Sequence, residues 1–564
     1  MQTLRTFFLL FTKKEKYLYS FIIFLLLTNV ILDSVSITLL IPFVSSVLGS
    51  NSDLIGQNFL FKNFSFLKDF KLNNYIVFIF FLFLIKNICQ LFIIYIQSKF
   101  VQNLSTRITS DLYRIYFYQP YSFFLQKFTP EILKNIMESK QFPRLVITVG
   151  TLIVESLVLI FLIFFLFTIE FKMTLIILTL LTIIFFFFSY FTKNKVYSWG
   201  VNRQKNDEIF NRNLVENFIG IKEIKILSKE EYFITNLNSA IVQANKFDKN
   251  IDIIQQVPKL IIEIFSIALI CVIIFFYSKI YNLTDLIPII AAYVLVVVRL
   301  IPALGRISGS LQKIKYTLPS LKLIKEQFRL YSGNVNLISN KTLESENFES
   351  LKINKLNFMY QNEKVLSDVD VNFFKNKIYG IIGESGSGKS TFVNLVCGLL
   401  KPTSGEILWN NKVSIFDDIK GWQKNISYLP QNIFLMDDSL NKNIALGLMD
   451  ADIDYNRIQS LISICKLDNL VNNLPNGADS FIGEKAIRIS GGEAQRIGIA
   501  RALYFNREII IFDEFTSALD SKTEDEILEI IKSLNKTIIL VSHKKSVIKI
   551  CEQVFEINKS KFLN

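Results

Sequence analysis

The sequence predicts two domains of different classes, an α-helical membrane domain with six spans followed by an α/β domain. The chain has 564 residues, more than one hydrophobic core usually serves. Hydrophobic residues make up 51% of it, 53 of them Phe, and the excess lies in the first 310 residues. From about residue 345 the pattern changes to short β-rich runs and turns, with glycines at motif positions. We therefore expect a membrane domain at 1–315, a linker at 316–344 and the α/β domain at 345–564.

The net charge of +13 fits cytoplasmic loops rich in Lys and Arg better than nucleic-acid binding. The polar half shows no stripe of Lys and Arg interleaved with stacking aromatic residues. The cysteines are far apart in sequence and form no C-x-x-C pair, so they indicate neither a zinc site nor a disulfide framework. They are Cys89, Cys271, Cys397, Cys465 and Cys551.

Six apolar stretches are long enough to cross a hydrocarbon core, which takes about 20 helical residues. Their approximate bounds are 17–48, 75–98, 146–168, 173–192, 256–277 and 286–304. The first is too long for a removable signal, and no small-residue cleavage site follows it. An even number of spans puts both ends of the domain on one side. The segments at about 99–145 and 193–255 are rich in Lys and Arg, which makes that side cytoplasmic.

Two amphipathic pieces occur in these cytoplasmic segments, YQPYSFFLQKFTPEILKNI at 118–136 and IGIKEIKILSKEEYF at 219–233. They suit docking on another cytoplasmic domain, and a solvated helix face explains them equally well. The loop between the first two spans carries NFLFKNFSFLKDF at 58–70. Its apolar residues at helical spacing suit either the outer membrane interface or packing on neighbouring segments.

Ionisable residues inside the spans are functional candidates, because a charge in hydrocarbon is costly unless it is paired or hydrated. The basic ones are Lys86, Lys259, Arg299 and Arg306, and the acidic ones are Asp33, Glu155 and Glu263. Arg299 and Arg306 are seven residues apart and so share a helix face. Two interpretations stay open. Either the acids neutralise the bases, for instance Lys259 with Glu263 at i,i+4, or the bases line an aqueous cavity and receive an anionic group from the inner leaflet.

The stretch GESGSGKST, which begins at Gly383, has the form G-x-x-x-x-G-K-S between an apolar run and a helical run. Its small residues let backbone N–H groups surround phosphates, Lys389 neutralises the terminal phosphates, and Ser390 suits Mg²⁺. We therefore expect ATP and Mg²⁺ as cofactors. The nucleotide-binding residues expected from this loop are Gly383, Glu384, Ser385, Gly386, Ser387, Gly388, Lys389, Ser390 and Thr391.

The run REIIIFDEFTSALD is a buried apolar strand that ends in Asp513 and Glu514. Asp513 suits Mg²⁺, and Glu514 suits positioning or deprotonating an attacking water. The alternative is an ordinary acidic pair at a strand end. That alternative is disfavoured, because a Mg·ATP site needs both Lys389 and Asp513 and the chain has both.

The stretch ISGGE at 489–493, followed by AQRIGIARAL, resembles the ABC signature sequence. With the phosphate loop, Gln431 in SYLPQNIF, SALD at 517–520 and SH at 542–543, the region 345–564 is similar to a complete ABC ATPase. LPNGADSFIGE upstream of the signature is similar to an exporter-specific stretch. The implied fold class is a six-span α-helical domain of the ABC exporter type followed by an α/β P-loop ABC ATPase domain.

This resemblance assigns further roles. It implies that Tyr360 stacks on adenine, that Gln431 joins Ser390 and Asp513 around the metal, and that His543 contacts the γ-phosphate beside the catalytic Glu514. It also implies that the signature caps the ATP of a partner subunit through Ser490, Gly491, Gly492 and Glu493. His543 is the only histidine in the chain.

The sequence departs from the family pattern at three positions. Ile489 replaces the usual Leu, Glu493 the usual Gln and Phe515 the usual Ala. These departures affect only the fine tuning of the ATPase rate. One phosphate loop and one signature per chain imply a two-fold homodimer that forms through the ATP sandwich and the membrane domain, with a heterodimer as the lesser possibility.

The membrane half most resembles the PglK-type flippases of lipid-linked oligosaccharides. The similar features are the acid in span one followed by SITLLIPFV, then PEILKNI, VPKLIIE and VRLIPALGRI. The resemblance implies a polyprenyl-pyrophosphate sugar moved from the cytoplasmic to the outer leaflet of the bacterial inner membrane. Its pyrophosphate would contact Lys86, Lys259, Arg299 and Arg306. Export of another lipid, drug or peptide, and an ATP-gated regulator without transport, remain as alternatives.

Overall fold

The computed structural model describes residues 10–47, 72–127, 129–169, 171–277, 283–335, 348–361, 363–483, 489–516, 519–558 and 561–563. The chain divides into two compact units, Met1–Gln119 with Gln126–Leu337, and Pro120–Leu125 with Ile338–Asn564. The first unit is helical, and the second contains the sheets. The loop segment 58–70 lies outside the described residues, so the expectation of an interfacial helix there stays a prediction.

Six long helices occur within the described residues of the first unit. They are α1 (Lys13–Val47), α2 (Leu72–Phe117), α5 (Leu145–Ile169), α6 (Phe171–Ile219), α8 (Glu230–Tyr277) and α9 (Leu283–Val335). Its shorter helices are α4 (Thr129–Gln141) and α7 (Ile221–Ile226), and a 3₁₀ turn at Phe142–Arg144 leads into α5. Helix α3 (Tyr121–Gln126) belongs to the second unit except for its last residue.

Four segments of the described residues are long and apolar enough to cross a membrane. They are Lys13–Asp33, Ile76–Phe117, Thr129–Phe167 and Thr174–Ile219. The fifth and sixth predicted spans, 256–277 and 286–304, lie within α8 and α9. The count of six spans therefore stays a prediction, although each predicted stretch falls in a long helix.

Helix α9 extends well beyond its predicted span and ends at Val335, so much of the segment expected as linker, 316–344, is helical. The apolar positions explain this extension, because Leu321 and Ile324 continue one helix face and are buried. They belong to the hydrophobic cluster that contains Ile108 of α2.

The second unit contains two larger sheets. A four-stranded antiparallel sheet has the order β2-β1-β4-β5, and a six-stranded sheet has the order β12-β11-β3-β10-β9-β6. The strands are β1 (Ser350–Tyr360), β2 (Glu363–Phe374), β3 (Ile378–Gly383), β4 (Ser404–Trp409), β5 (Val413–Ser414), β6 (Ile426–Leu429), β7 (Asp438–Ser439), β8 (Phe481–Ile482), β9 (Ile509–Asp513), β10 (Thr537–Val541), β11 (Gln553–Asn558) and β12 (Lys561–Leu563). In the larger sheet β11, β3, β10, β9 and β6 are parallel neighbours.

Helices cover this parallel sheet, as its sequence requires. Every residue of β9 and β10 is buried, and such two-sided burial favours continuous Ile and Val runs rather than alternation. The helices of the unit are α10 (Lys389–Val396), α11 (Ile419–Gln423), α12 (Leu440–Ile444), α13 (Tyr455–Ile464), α14 (Asp468–Asn473), α15 (Gly491–Tyr504), α16 (Ser521–Ser533) and α17 (Lys545–Ile548). One hydrophobic cluster includes Ile497 of α15 and Ile527 of α16, and another includes Phe392 of α10.

Candidate functional site

The carboxyl ends of three parallel strands meet at one edge of the six-stranded sheet. Val541 at the end of β10 is the register partner of Ile381 in β3 and of Asp513 in β9. The phosphate loop after β3, the acidic pair at the end of β9 and His543 after β10 therefore emerge side by side. This edge is where open α/β sheets bind their ligands.

The backbone of the phosphate loop requires glycine. Gly386 and Gly388 have φ angles of +83° and +106°, in the left-handed region that favours glycine. A Cβ on Gly388 would also lie 3.2 Å from the carbonyl oxygen of Val365. Helix α10 begins directly after this glycine, at Lys389, so its free N–H groups face the loop.

Lys389 is buried, and its Nζ donates to the carbonyl oxygens of Gly383 and Glu384, both at 2.8 Å. Burial lowers the pKa of Lys389, and the charges of Glu514 and Asp513 oppose that shift. The Oγ of Ser387 is buried without a hydrogen-bond partner among the described residues. An ammonium group beside an unpartnered hydroxyl in a glycine-rich loop fits a bound phosphate.

The acidic pair consists of a buried and a more exposed carboxylate. Asp513 is buried, and burial together with the neighbouring charge of Glu514 raises its pKa. The hydroxyl of Tyr428 donates to Asp513 Oδ2 at 3.3 Å. The backbone of Glu514 has a φ of +48°, and its N–H donates to the carbonyl oxygen of Val541 at 2.9 Å. A left-handed conformation at a non-glycine residue is strained, and such strain concentrates at functional sites.

Glu514 brings two other predicted site residues together. The Nε2 of Gln431 donates to Glu514 Oε2 at 2.7 Å. The Nε2 of His543 lies 3.3 Å from Glu514 Oε1. The only histidine of the chain therefore lies directly against the carboxylate expected to act on the attacking water.

The signature begins helix α15, with Ser490 as its N-cap. The side chains of Ser490 and Glu493 form a capping box, because Ser490 Oγ accepts from the N–H of Glu493 at 3.3 Å and Glu493 Oε2 accepts from the N–H of Ser490 at 2.8 Å. The Ser490 hydroxyl also donates to Glu493 Oε2, at 2.6 Å. Ser490 and Gly491 are exposed, so this helix end is open to a ligand from outside the chain.

The remaining predicted nucleotide residues lie near the phosphate loop in sequence or at the end of β1. Tyr360 ends β1, is 39% exposed and meets the ring of Phe358 edge-on at 4.8 Å. Glu384 and Ser385 are exposed in the loop. Ser390 and Thr391 occupy the first turn of α10.

The donors expected around the metal suit Mg²⁺ chemically. Ser390, Gln431 and Asp513 offer a hydroxyl, an amide and a carboxylate oxygen, and Mg²⁺ prefers oxygen ligands. The described part of the chain contains no group of three or more His, Cys, Asp or Glu placed to hold a metal.

Two features of this region were not foreseen from the sequence. Phe515 is buried with its ring centroid 4.8 Å from that of Phe512, which gives the departure from alanine a packing role. Lys544, next to His543, binds the buried carboxylate of Glu524 and donates to the carbonyl oxygen of Thr516 at 2.8 Å. The signal for this link was a glutamate on the buried face of the amphipathic helix α16.

In the helical unit, three of the four candidate bases are paired with acids that are distant in sequence. Asp33 binds both Lys86 and Arg299. Glu155 binds Arg306 through two bonds, from Nε to Oε1 at 2.7 Å and from Nη2 to Oε2 at 3.2 Å. These five side chains line one cavity of about 350 Å³, which we call the paired cavity.

The fourth base, Lys259, lines a second cavity of about 430 Å³ together with Arg306 and Lys313. We call it the lysine cavity. The pairing of Lys259 with Glu263 suggested by their spacing is wrong, since both side chains are exposed and form no ion pair among the described residues. Lys259 instead points into the groove between α8 and α9, where a Cβ on Gly305 would lie 3.2 Å from its own Cβ.

The fold and the site together define a membrane protein with a P-loop nucleotide-binding domain. Residues 22–302 match the family model of the ABC transporter transmembrane region, and residues 366–517 match that of the ABC transporter. The two matches fall on the two halves of the chain in the order found in exporters. The chain therefore belongs to the ABC transporters and has the architecture of an ABC exporter.

The relatives described here align with this chain over only part of their length. The ATP-dependent lipid A-core flippase of Ralstonia nicotianae is 32% identical over 209 residues, 36% of this chain and 35% of that protein. The CydC protein of a Bacillus subtilis glutathione/L-cysteine transport system is 40% identical over 182 residues, 32% of each chain. The Lactococcus lactis protein LagD, for lactococcin-G processing and transport, is 28% identical over 358 residues, 62% of this chain and 50% of that protein. The aligned regions thus span about a third to a half of these relatives.

The fold is similar over nearly the whole chain to a solved structure of a bacterial Atm1-family ABC exporter with ATP bound. The TM-score is 0.76 at 18% sequence identity, covering 98% of this chain and 94% of that one. This similarity supports the exporter fold.

Proposed function

We propose that this chain is an ATP-driven flippase that moves a lipid-linked oligosaccharide, a polyprenyl-pyrophosphate sugar, from the cytoplasmic to the outer leaflet of the bacterial inner membrane. The observation that carries the substrate class is the paired cavity, where Lys86, Arg299 and Arg306 converge among apolar helices with only two acids. The five side chains are paired with one another, and clusters of ionisable residues among apolar helices commonly mark a substrate pathway.

The nucleotide site supplies the energy by hydrolysing ATP. The phosphate loop and α10 hold the phosphates, and Lys389 moves its ammonium group from two backbone carbonyls to the terminal phosphates. Mg²⁺, when bound at Ser390, Gln431 and Asp513, would neutralise charge on the phosphate oxygens. Glu514 accepts the proton of the attacking water, and His543 contacts both that carboxylate and the γ-phosphate.

A homodimer completes this site in the proposal. One chain carries one phosphate loop and one signature, so two copies related by a two-fold axis form two equivalent ATP sites. The exposed Ser490 and Gly491 at the start of α15 suit this role, because a helix N-terminus offers free N–H groups to a partner's nucleotide.

Two features of the paired cavity support an anionic substrate, its charge and an unpaired buried donor. Three bases and two acids leave the paired cavity with one excess positive charge. In its lining, Arg299 Nε and Asn29 Oδ1 are buried without a hydrogen-bond partner among the described residues. A buried unpaired polar atom costs about 1 to 3 kcal/mol, so a ligand oxygen that accepts from Arg299 Nε is favoured, whereas Asn29 Oδ1 needs a donor such as a sugar hydroxyl. The similarity to a lipid A-core flippase also supports an anionic lipid.

The substrate class is tested by ATPase stimulation in lipid nanodiscs. We expect a polyprenyl-pyrophosphate glycan to raise the ATPase rate at micromolar concentration. Lipid A, glutathione and lactococcin-G are the comparison substrates, chosen from the names of the relatives. Stimulation by one of these, with none by the polyprenyl-pyrophosphate glycan, would assign a different cargo to the same ATPase.

A further inference from the structure

The sixth long helix carries a ladder of cations that extends beyond the residues singled out in the sequence. Arg299, Arg306 and Lys313 follow one another at intervals of seven residues. This spacing puts them on one face of α9 and about 10 Å apart along its axis. Since α9 enters from the outer side in the predicted topology, Lys313 is the rung nearest the cytoplasm.

The rungs differ in their partners. Asp33 binds Arg299, and Glu155 binds Arg306 in a two-bond pair. Lys313 is exposed and has no ion pair among the described residues. The ladder therefore has two rungs held by carboxylates and one free rung at its cytoplasmic end.

The free rung lies in the lysine cavity, where the lining contains three cations and no carboxylate among the described residues. Gln255, Thr148 and Ser310 add neutral polar groups. Glycines let the helices approach closely here. A Cβ on Gly305 would lie 3.2 Å from Lys259 Cβ, and a Cβ on Gly309 would lie 3.9 Å from Gln255 Cβ. The geometry thus concentrates positive charge around Lys259 and Lys313, and Arg306 is the one of the three cations with a carboxylate partner among the described residues.

Arg306 and Thr151 line both cavities, so the lysine cavity and the paired cavity adjoin at this arginine. An anion bound at Lys259 and Lys313 is next to the guanidinium that Glu155 holds. Two oxygens of a phosphate group offer Arg306 the same two-bond geometry as the carboxylate that they would replace.

Resting on the proposed function, we propose that Lys259 and Lys313 form a loading site for the phosphate or pyrophosphate headgroup of a lipid. Asp33 and Glu155 are exchangeable counter-ions that hold the ladder in its substrate-free form. The headgroup loads at the lysine cavity, displaces Glu155 from Arg306 and then displaces Asp33 from Arg299 and Lys86. Each step exchanges one anion for another on the same cation, so every cation of the ladder stays paired, and each released carboxylate remains in the polar cavity that it lines until the headgroup has moved on.

Equilibrium binding of a fluorescent short-chain polyprenyl pyrophosphate to the full-length protein tests this proposal. The protein is in nanodiscs, without nucleotide and in a Lys389→Ala background, so that the phosphate loop does not capture the probe. We expect Lys313→Gln and Lys259→Gln each to weaken binding by about tenfold and to reduce its salt dependence. Lys249→Gln, which changes an exposed lysine of the same helix α8 outside both cavities, is the matched control and leaves binding unchanged.

Glu155→Gln separates exchange from a structural role of the ion pair. If the headgroup exchanges with Glu155 on Arg306, this variant binds the probe more tightly, because the headgroup no longer competes with a carboxylate for the arginine. A merely structural pair predicts weaker binding and a lower melting temperature. If Glu155→Gln does not yield folded protein, Asp33→Asn makes the same test at Arg299. Binding that is unaffected by both lysine substitutions, or weakened by Glu155→Gln, overturns the proposal.

Two further probes separate this proposal from the assignment of the cargo. Inorganic pyrophosphate and phosphatidylglycerol vesicles carry the same anionic chemistry from other sources. If one of these probes binds with the same dependence on Lys313 and Glu155, and the polyprenyl probe does not bind, the ladder stands and the assignment of a lipid-linked oligosaccharide as cargo is refuted. Binding of the polyprenyl probe without that dependence refutes the ladder alone. Failure of the protein to bind any of these anions refutes both.

Discussion

At the scale of single residues, Glu514 is fixed from several sides. Its backbone is strained at a φ of +48°, and its N–H is bonded to Val541. One carboxylate oxygen accepts from Gln431, and the other lies 3.3 Å from His543. These contacts aim the carboxylate while leaving it partly exposed, as a group that must reach a water requires.

Glu514→Gln is expected to lower steady-state ATP turnover by about 100-fold or more, because the amide keeps the shape and loses the proton acceptor. ATP binding is expected to remain, since the phosphate loop is untouched. Phosphate release and retention of labelled ATP measure the two effects. Glu406→Gln, an exposed acid on β4, is the control, and appreciable steady-state hydrolysis by Glu514→Gln would refute the assignment.

Asp513→Asn is expected to raise the melting temperature of the nucleotide-free protein. Its pKa is raised by burial and by Glu514, so at neutral pH the folded protein carries a charge that it disfavours. The folded state holds the proton more tightly than the unfolded state, so this penalty disappears as the pH falls through the raised pKa toward the ordinary value for Asp. The higher melting temperature of the variant should therefore approach that of the wild type as the pH falls. Mg·ATP should stabilise the wild type but not the variant. An advantage that grows at acidic pH would contradict the account.

At the scale of elements, close helix contacts depend on single glycines. A Cβ on Gly200 of α6 would lie 2.2 Å from the backbone carbonyl oxygen of Tyr316 in α9. No flexible side chain can move aside there, so the two helices would have to separate. Gly220 has its nearest neighbour at 3.4 Å and a φ of −88°, which alanine adopts easily.

Gly200→Ala is therefore expected to destabilise the protein by about 1 to 3 kcal/mol, as overpacking does. Gly220→Ala should stay within about 0.5 kcal/mol of the wild type. Thermal unfolding in detergent, followed by loss of monodisperse protein, compares the two. Equal melting temperatures for the two variants would show that α6 and α9 are not held at this distance.

The sequence predicted elements well where the signal is local. The phosphate loop was expected between a strand and a helix, and the structure has β3 before it and α10 after it. Long-range pairs were not predictable in this way. Arg299 and Asp33 are 266 residues apart, and their contact depends on how the long helices pack.

The i,i+4 spacing of Lys259 and Glu263 predicted an ion pair that the structure does not contain. Spacing along one helix does not determine which side chain faces a cavity. Lys313 carried a usable signal, the continued interval of seven residues after Arg306. It was missed because it lies beyond the predicted span. The extension of α9 to Val335 shows that the helix continues past the predicted span.

At the scale of the whole molecule, the proposed dimer has a consequence that single chains cannot show. A Lys389→Ala chain keeps its signature, and a Ser490→Ala chain keeps its phosphate loop. A mixed dimer then contains one site with both defects and one with none. Purified mixed dimers are expected to recover on the order of half of the wild-type ATPase rate, while each homodimer stays nearly inactive. No recovery in the mixed dimer would contradict the shared site.

The most direct test of the account is ATP-dependent translocation of a tritiated polyprenyl-pyrophosphate glycan in proteoliposomes, for the wild type beside Arg299→Ala/Arg306→Ala. The wild type is expected to transport the glycan, and the double variant to lose transport while it retains the basal ATPase rate. No transport by the wild type, or transport that is indifferent to the two arginines, would contradict the account.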